Sequence, residues 1–115
     1  MTFNLKTEYV TYEGCNLETA EYENNRLYIG IYNDEGYIAD ITVNIPDMEI
    51  PSGNYAFVDT NNFPEAETAI MQLGIGEFAG YIGKSGYCRY PLYEFDMESV
   101  SDYTNYIQEE DEEDD

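Results

Sequence analysis

The stretch Arg26–Ile45 reads RLYIGIYNDEGYIADITVNI, and it decides the fold class. In Arg26–Tyr32, Leu27, Ile29 and Ile31 share one face, and Tyr28, Gly30 and Tyr32 share the other. That period of two is the mark of a half-buried strand. Asn33-Asp34-Glu35-Gly36 is turn chemistry, with Gly36 free to take positive φ. Tyr37–Ile45 then alternates again. It sets Tyr37, Ala39, Ile41, Val43 and Ile45 against Asp40, Thr42 and Asn44. Two alternating runs joined by a short Asn/Asp/Gly turn form an antiparallel hairpin.

Outward from the hairpin toward the N-terminus, Phe3–Tyr12 predicts one or two short strands, broken at Glu13-Gly14. Asn16–Tyr22 is a strand or a short irregular helix, and Glu23-Asn24-Asn25 is a turn. Toward the C-terminus, Pro46-Asp47 and Pro51-Ser52-Gly53 bracket a loop, since each Pro removes a ladder donor. Asn54–Val58 is a short strand. Ala66, Ala69, Ile70 and Leu73 stand at i, i+3, i+4 and i+7, which predicts a helix over about 63–73. Asn61 or Asn62 is its expected cap, Pro64 and Glu65 suit its first turn, and Gly74 is its C-cap. The five glycines of Gly74–Gly86 predict loop with a short strand near Phe78–Ile82. Tyr87–Phe95 is an aromatic strand, and its Pro91 suggests an edge or a bulge. Val100, Tyr103 and Ile107 allow a marginal helix in Met97–Gln108. These elements predict an α+β fold. A twisted antiparallel sheet of five or six strands would carry one main helix on one face. Residues 1–108 form a single domain, and the seven contiguous acids Glu109, Glu110, Asp111, Glu112, Glu113, Asp114 and Asp115 form a disordered tail.

Charge is the strongest functional signal. The chain holds 25 Asp and Glu against 4 Lys and Arg and no His, a net charge of −21. With the seven tail acids set aside, 18 acids remain against the same 4 bases, which leaves −14 for residues 1–108. Such a charge repels nucleic acid and anionic membranes and attracts basic surfaces. Hydrophobic residues at 43% and aromatics at 16%, with 13 Tyr, 5 Phe and no Trp, specify a folded body rather than an acidic coil. No run approaches 18 apolar residues, and Met1–Val10 lacks the apolar core of a signal peptide. Those two features predict a cytoplasmic protein in which Cys15 and Cys88 are reduced thiols.

Enzyme chemistry finds little footing. Without His, every His-dependent triad is excluded, and two cysteines make only half a zinc site. Gly83-Lys84-Ser85 resembles the end of a phosphate loop, yet position 78 is Phe where that loop needs Gly, and strand follows it. The calcium-loop spacing is absent, although Asn33-Asp34-Glu35-Gly36 faintly resembles its centre. The sequence therefore predicts no catalytic, cofactor or metal residue. It predicts partner binding by carboxylates: the tail acids 109–115 together with Asp34, Glu35 and Asp40. Rows of carboxylates imitate a phosphate backbone and pair with Arg and Lys in a cleft built for nucleic acid. Solubility alone accounts for a net charge of about 2–8 on a small domain, well short of this one.

Three segments carry a family resemblance: Thr42-Val43-Asn44-Ile45-Pro46, then Ala56–Pro64 (AFVDTNNFP), then Ser85–Phe95 (SGYCRYPLYEF). Over Arg26–Phe95 the chain resembles a small uncharacterised domain family of unknown function carried by phages and conjugative elements of gut bacteria. The last twenty residues, acid run included, lie outside that pattern. The resemblance implies no catalytic residue. It implies a mobile-element context, where genes against host defence are common. Charge and context together lead to an acidic, non-enzymatic inhibitor. Its partner would be a basic nucleic-acid-binding protein of host defence, a CRISPR effector or a restriction enzyme, bound by nucleic-acid mimicry. The competing reading is an accessory or scaffold protein of the element's own DNA-processing or transfer machinery.

Overall fold

A computed structural model describes residues 1–104. The expected tail 109–115, and the part of the Met97–Gln108 helix beyond Thr104, lie outside the described residues. The fold is mainly antiparallel sheet with two short helices, consistent with the α+β class. It corrects the expected single sheet of five or six strands. Eight strands form two four-stranded sheets: β1 (Phe3–Lys6), β2 (Thr11–Glu21), β3 (Leu27–Asn33) and β4 (Gly36–Asp40) in sequential order, and β5 (Thr42–Val43), β6 (Tyr55–Val58), β8 (Cys88–Phe95) and β7 (Gly76–Ser85) in that spatial order.

The division falls inside the run expected as one strand, Tyr37–Ile45. Its pairing with β3 ends at Asp40, and after Ile41 the residues Thr42 and Val43 pair with β6 instead. Ile41 is the corner: its N–H donates to the Ile29 carbonyl at 2.9 Å and its carbonyl accepts from Asp59 N–H at 2.9 Å. The turning chain takes a ladder acceptor away from Ile29, and the buried Thr42 hydroxyl replaces it, accepting Ile29 N–H at 3.0 Å. An unpaired buried amide costs roughly 1–3 kcal/mol, so Thr42 makes the corner tolerable. A register shift between Ile31 and Tyr32 further alters the expected alternation. It brings Tyr37 and Asp40 to the same face.

Two cores result. The larger lies between the inner face of sheet 1 (Leu17, Leu27, Ile29, Ile31), one face of sheet 2 (Val58, Tyr93, Phe95) and α1 (Ala66–Leu73). The smaller lies on the other face of sheet 2, where Ile45, Met48 and Ile50 of the 44–53 loop cover Phe57, Tyr90 and Leu92. The predicted stripe is confirmed, with Ala66, Ala69 and Ile70 buried, and Gly74 closes the helix at φ 69° as expected. The helix starts later than Phe63. Asp59, not Asn61 or Asn62, organises the entry: its buried carboxylate accepts the Asn62 N–H at 3.2 Å and the Asn62 side-chain amide at 3.1 Å.

Two further expectations are corrected and a third is narrowed. Glu13-Gly14 does not end a strand; β2 runs through it with Gly14 at φ 65° beside a register shift against β1. Gly74–Gly86 is chiefly the ten-residue β7. Its Gly83 is needed for close approach, since a Cβ there would meet the Phe57 ring at 2.7 Å. Pro91 lies in an interior strand, so of the two expected alternatives the edge is excluded and the bulge holds: Pro91 pairs with Ile82 where β7 resumes after its register shift. At the C-terminal end, α2 (Met97–Ser101) is followed by Tyr103, whose carbonyl accepts Leu17 N–H at 2.8 Å and whose ring meets Phe3 edge-on.

Candidate functional site

The outer face of sheet 1 follows from the register. Asn16, Tyr32 and Tyr37 stand in one row, Glu18, Gly30 and Asp40 in the next, and Ala20 and Tyr28 in a third. The face therefore holds three tyrosines and two carboxylates over a glycine, with Tyr22 at its margin. Gly30 makes this possible, because the Tyr28 ring lies across it and a Cβ at Gly30 would fall 2.7 Å from Tyr28 Cζ. Tyr28 donates its hydroxyl proton to Asp40 Oδ1 at 2.8 Å. Its oxygen stands 3.2 Å from the Tyr32 hydroxyl, which is therefore the donor in that bond. The order is Tyr32 to Tyr28 to Asp40.

Edge-on ring contacts extend the patch in both directions, Tyr22 with Tyr28 at 5.8 Å and Tyr32 with Tyr37 at 5.6 Å. Tyr22 anchors its end by donating to the Thr42 carbonyl at 3.3 Å. Burial, then the bond donated to Asp40 and the Asp40 charge, pushes the Tyr28 hydroxyl well above the usual phenol range. Burial and the Asp40 charge also raise Tyr37. Burial raises Tyr22 as well, against a lowering hydrogen bond to Thr42. At neutral pH these groups are donors with polar rims and apolar bodies, a combination suited to interfaces.

Of the expected partner-binding residues, Asp40 lies at the centre of this face. Asp34 and Glu35 are exposed in the β3–β4 turn at its Tyr37 end, where Asn33 Oδ1 accepts Glu35 N–H at 2.9 Å. Glu109–Asp115 lie outside the described residues. Residue-by-residue reading missed Glu18, which enters through the β2–β3 register, and the role of Tyr28 and Tyr32 as holders of Asp40. The signal for the tyrosines was present in Tyr28-x-Gly30-x-Tyr32, two rings flanking the one residue that leaves room for them.

Elsewhere, a depression of about 730 Å³ includes Glu77, Glu94 and Asp96 in its lining. No group of three His, Cys, Asp or Glu among the described residues is arranged to hold a metal ion. Cys15 and Cys88 are free thiols, and burial raises the Cys15 thiol above its ordinary range. No helix among the described residues is long and apolar enough to cross a membrane.

Residues 16–113 match the family described as Domain of unknown function (DUF4313). The chain belongs to the DUF4313 family. The match is wider than the expected Arg26–Phe95 and contradicts the placing of the acid run outside the pattern, since it extends through Glu113. It takes in the whole acid–tyrosine face of this DUF4313 chain, from Asn16 and Glu18 on β2 to Asp40 on β4. No curated protein and no solved structure matches the sequence.

Proposed function

We propose that the protein is an acidic, non-enzymatic inhibitor encoded by a mobile element, acting on a basic nucleic-acid-binding protein of host defence such as a CRISPR effector or a restriction enzyme. The observation that carries the proposal is the acid–tyrosine face of sheet 1. Asp40 is held in place by the Tyr28 hydroxyl, Glu18 stands across Gly30 from it, and Asp34 and Glu35 extend the charge along the hairpin. A carboxylate fixed by a neighbouring hydroxyl loses little freedom when a guanidinium arrives, which favours binding. Tyrosine is common among residues that dominate interface energies. The surrounding charge of −21 draws a basic partner in and makes the encounter salt-dependent.

The non-enzymatic reading is supported by the absence of His from the sequence and by the bonds that join Tyr32, Tyr28 and Asp40 to one another. Immobilised protein exposed to host lysate at low and at high salt provides the test. Capture of a nucleic-acid-binding protein at low salt, lost at high salt, is the expected result. Failure to capture any such protein at low salt refutes the proposal. Capture of the element's own transfer or replication proteins instead would favour an accessory role.

A further inference from the structure

The face of sheet 2 that packs on α1 extends beyond the helix. In register, Phe78 stands beside Tyr93, Ile82 beside Pro91 and Lys84 beside Arg89, so these six side chains share that face. The first turn of α1 reaches it through Glu67, whose Oε2 accepts the Tyr93 hydroxyl at 2.6 Å. Past that point the β7–β8 hairpin forms the wall of a groove of about 550 Å³. Phe78 and Ile82 are each 50% exposed there.

The groove has electrical direction. Lys84 and Arg89 are two of only four basic residues in the chain, and they are cross-strand neighbours at one end. Arg26, by contrast, is committed to the carbonyls of Ile45 and Met48. Arg89 lines the groove and is exposed, with no hydrogen-bond or ion-pair partner among the described residues. Glu67 closes the other end with a negative charge.

We propose that this groove binds a small apolar monocarboxylate. Arg89 holds the carboxylate, Lys84 reinforces the charge, and the apolar body lies on Phe78, Ile82, Pro91 and Tyr93. The volume falls within the roughly 300–1,000 Å³ of small-molecule sites, which are mostly apolar with few polar groups. The guanidinium fork matches a carboxylate bidentately. Glu67 at the far end repels a second carboxylate, which selects monoacids over diacids. The proposal runs against the charge of the whole chain, which favours cations. At physiological salt the Debye length is about 8 Å, so the adjacent Lys84–Arg89 pair governs a ligand lying in the groove.

The test is titration of the ¹⁵N-labelled full chain with 4-phenylbutyrate, followed by amide shifts, with 4-phenylbutanamide and 4-phenylbutylamine as matched probes. The acid is expected to produce saturable shifts confined to β7, β8 and the start of α1, and to bind roughly tenfold more tightly than the amide, a ratio in the range of one charge-assisted hydrogen bond. Arg89→Gln should bring the acid down to the affinity of the amide, and Lys84→Gln should cause a smaller loss. Both positions are exposed, so the variants should retain the wild-type spectrum elsewhere. Equal binding of acid and amide, tighter binding of the amine, shifts mapping elsewhere, or no saturable shift would each overturn the assignment.

Discussion

Replacing Gly30 by Ala should break the acid–tyrosine face from beneath, and the size of the effect follows from the geometry. A Cβ at position 30 falls 2.7 Å from Tyr28 Cζ and closer still to its oxygen, so the Tyr28 ring must swing away. Swinging it removes the 2.8 Å bond to Asp40, a bond to a charged group worth about 1.5–3 kcal/mol. The lower end applies, because both partners are half exposed. It also removes the edge-on contact with Tyr22, worth about 0.5–1.5 kcal/mol. Alanine returns about 0.5–1 kcal/mol, because glycine loses more chain entropy in a strand. The net expected loss is about 1–2 kcal/mol, or roughly 5–10 °C in Tm for a domain of this size. Thermal and urea unfolding followed by circular dichroism measure it. The deciding comparison is the same substitution in a Tyr28→Ala background. With the Tyr28 ring gone, the remaining close neighbour is Tyr32 Cε1 at 3.1 Å, which needs to give only slightly, so Gly30→Ala should cost much less there, giving a coupling of about 1 kcal/mol or more between the two positions. A wild-type background that tolerates Gly30→Ala, or a cost that is undiminished without Tyr28, would refute the reasoning.

Three other outcomes follow from the structure. The hydroxyls of Tyr28 and Tyr93 are both raised above the ordinary tyrosine value, mainly by burial, with the bonds they donate to Asp40 and to Glu67 adding to the shift. A raised folded-state value contributes stability that is complete below the unfolded value of about 10 and is lost as pH rises through the folded value. The urea midpoint should therefore fall above pH ~10, and Tyr28→Phe or Tyr93→Phe should flatten that fall; an unchanged slope in both variants would contradict the assigned burial. Glu77 and Glu94 face each other across β7 and β8, a like-charge pair, so Glu77→Lys should stabilise the protein by about 0.2–1 kcal/mol in urea unfolding. Deleting Glu109–Asp115 should weaken binding to a basic partner and lower its salt dependence without abolishing it, because residues 1–108 alone carry −14; complete loss in a salt-titrated binding assay would move the site into the tail.

Much of the fold was legible wherever periodicity and burial coincide. The Leu27, Ile29, Ile31 alternation and the Ala66, Ala69, Ile70 stripe read correctly because each buries one face against one core. The division into two sheets was not legible. Tyr37–Ile45 alternates without interruption in sequence, and the corner at Ile41 depends on a tertiary bond from Ile29 to the Thr42 hydroxyl. The glycines of β7 read as loop because local propensity cannot distinguish a flexible glycine from one that makes room for Phe57. At the candidate site, Asp40 was visible as a carboxylate on a strand. Its companion Glu18 was not, since the two share a row only through β3.

The most direct measurement is a competition between duplex DNA and the protein for the partner isolated by low-salt capture, comparing the wild-type chain with a Glu18→Gln, Asp40→Asn variant. Both substitutions keep side-chain shape, and Tyr28 retains an oxygen to donate to at position 40. The acid–tyrosine face predicts mutually exclusive binding of DNA and protein, with the variant weakened roughly tenfold or more, in the range of interface hot spots. A ternary complex of partner, DNA and protein, or a variant that binds as tightly as the wild type, would contradict it.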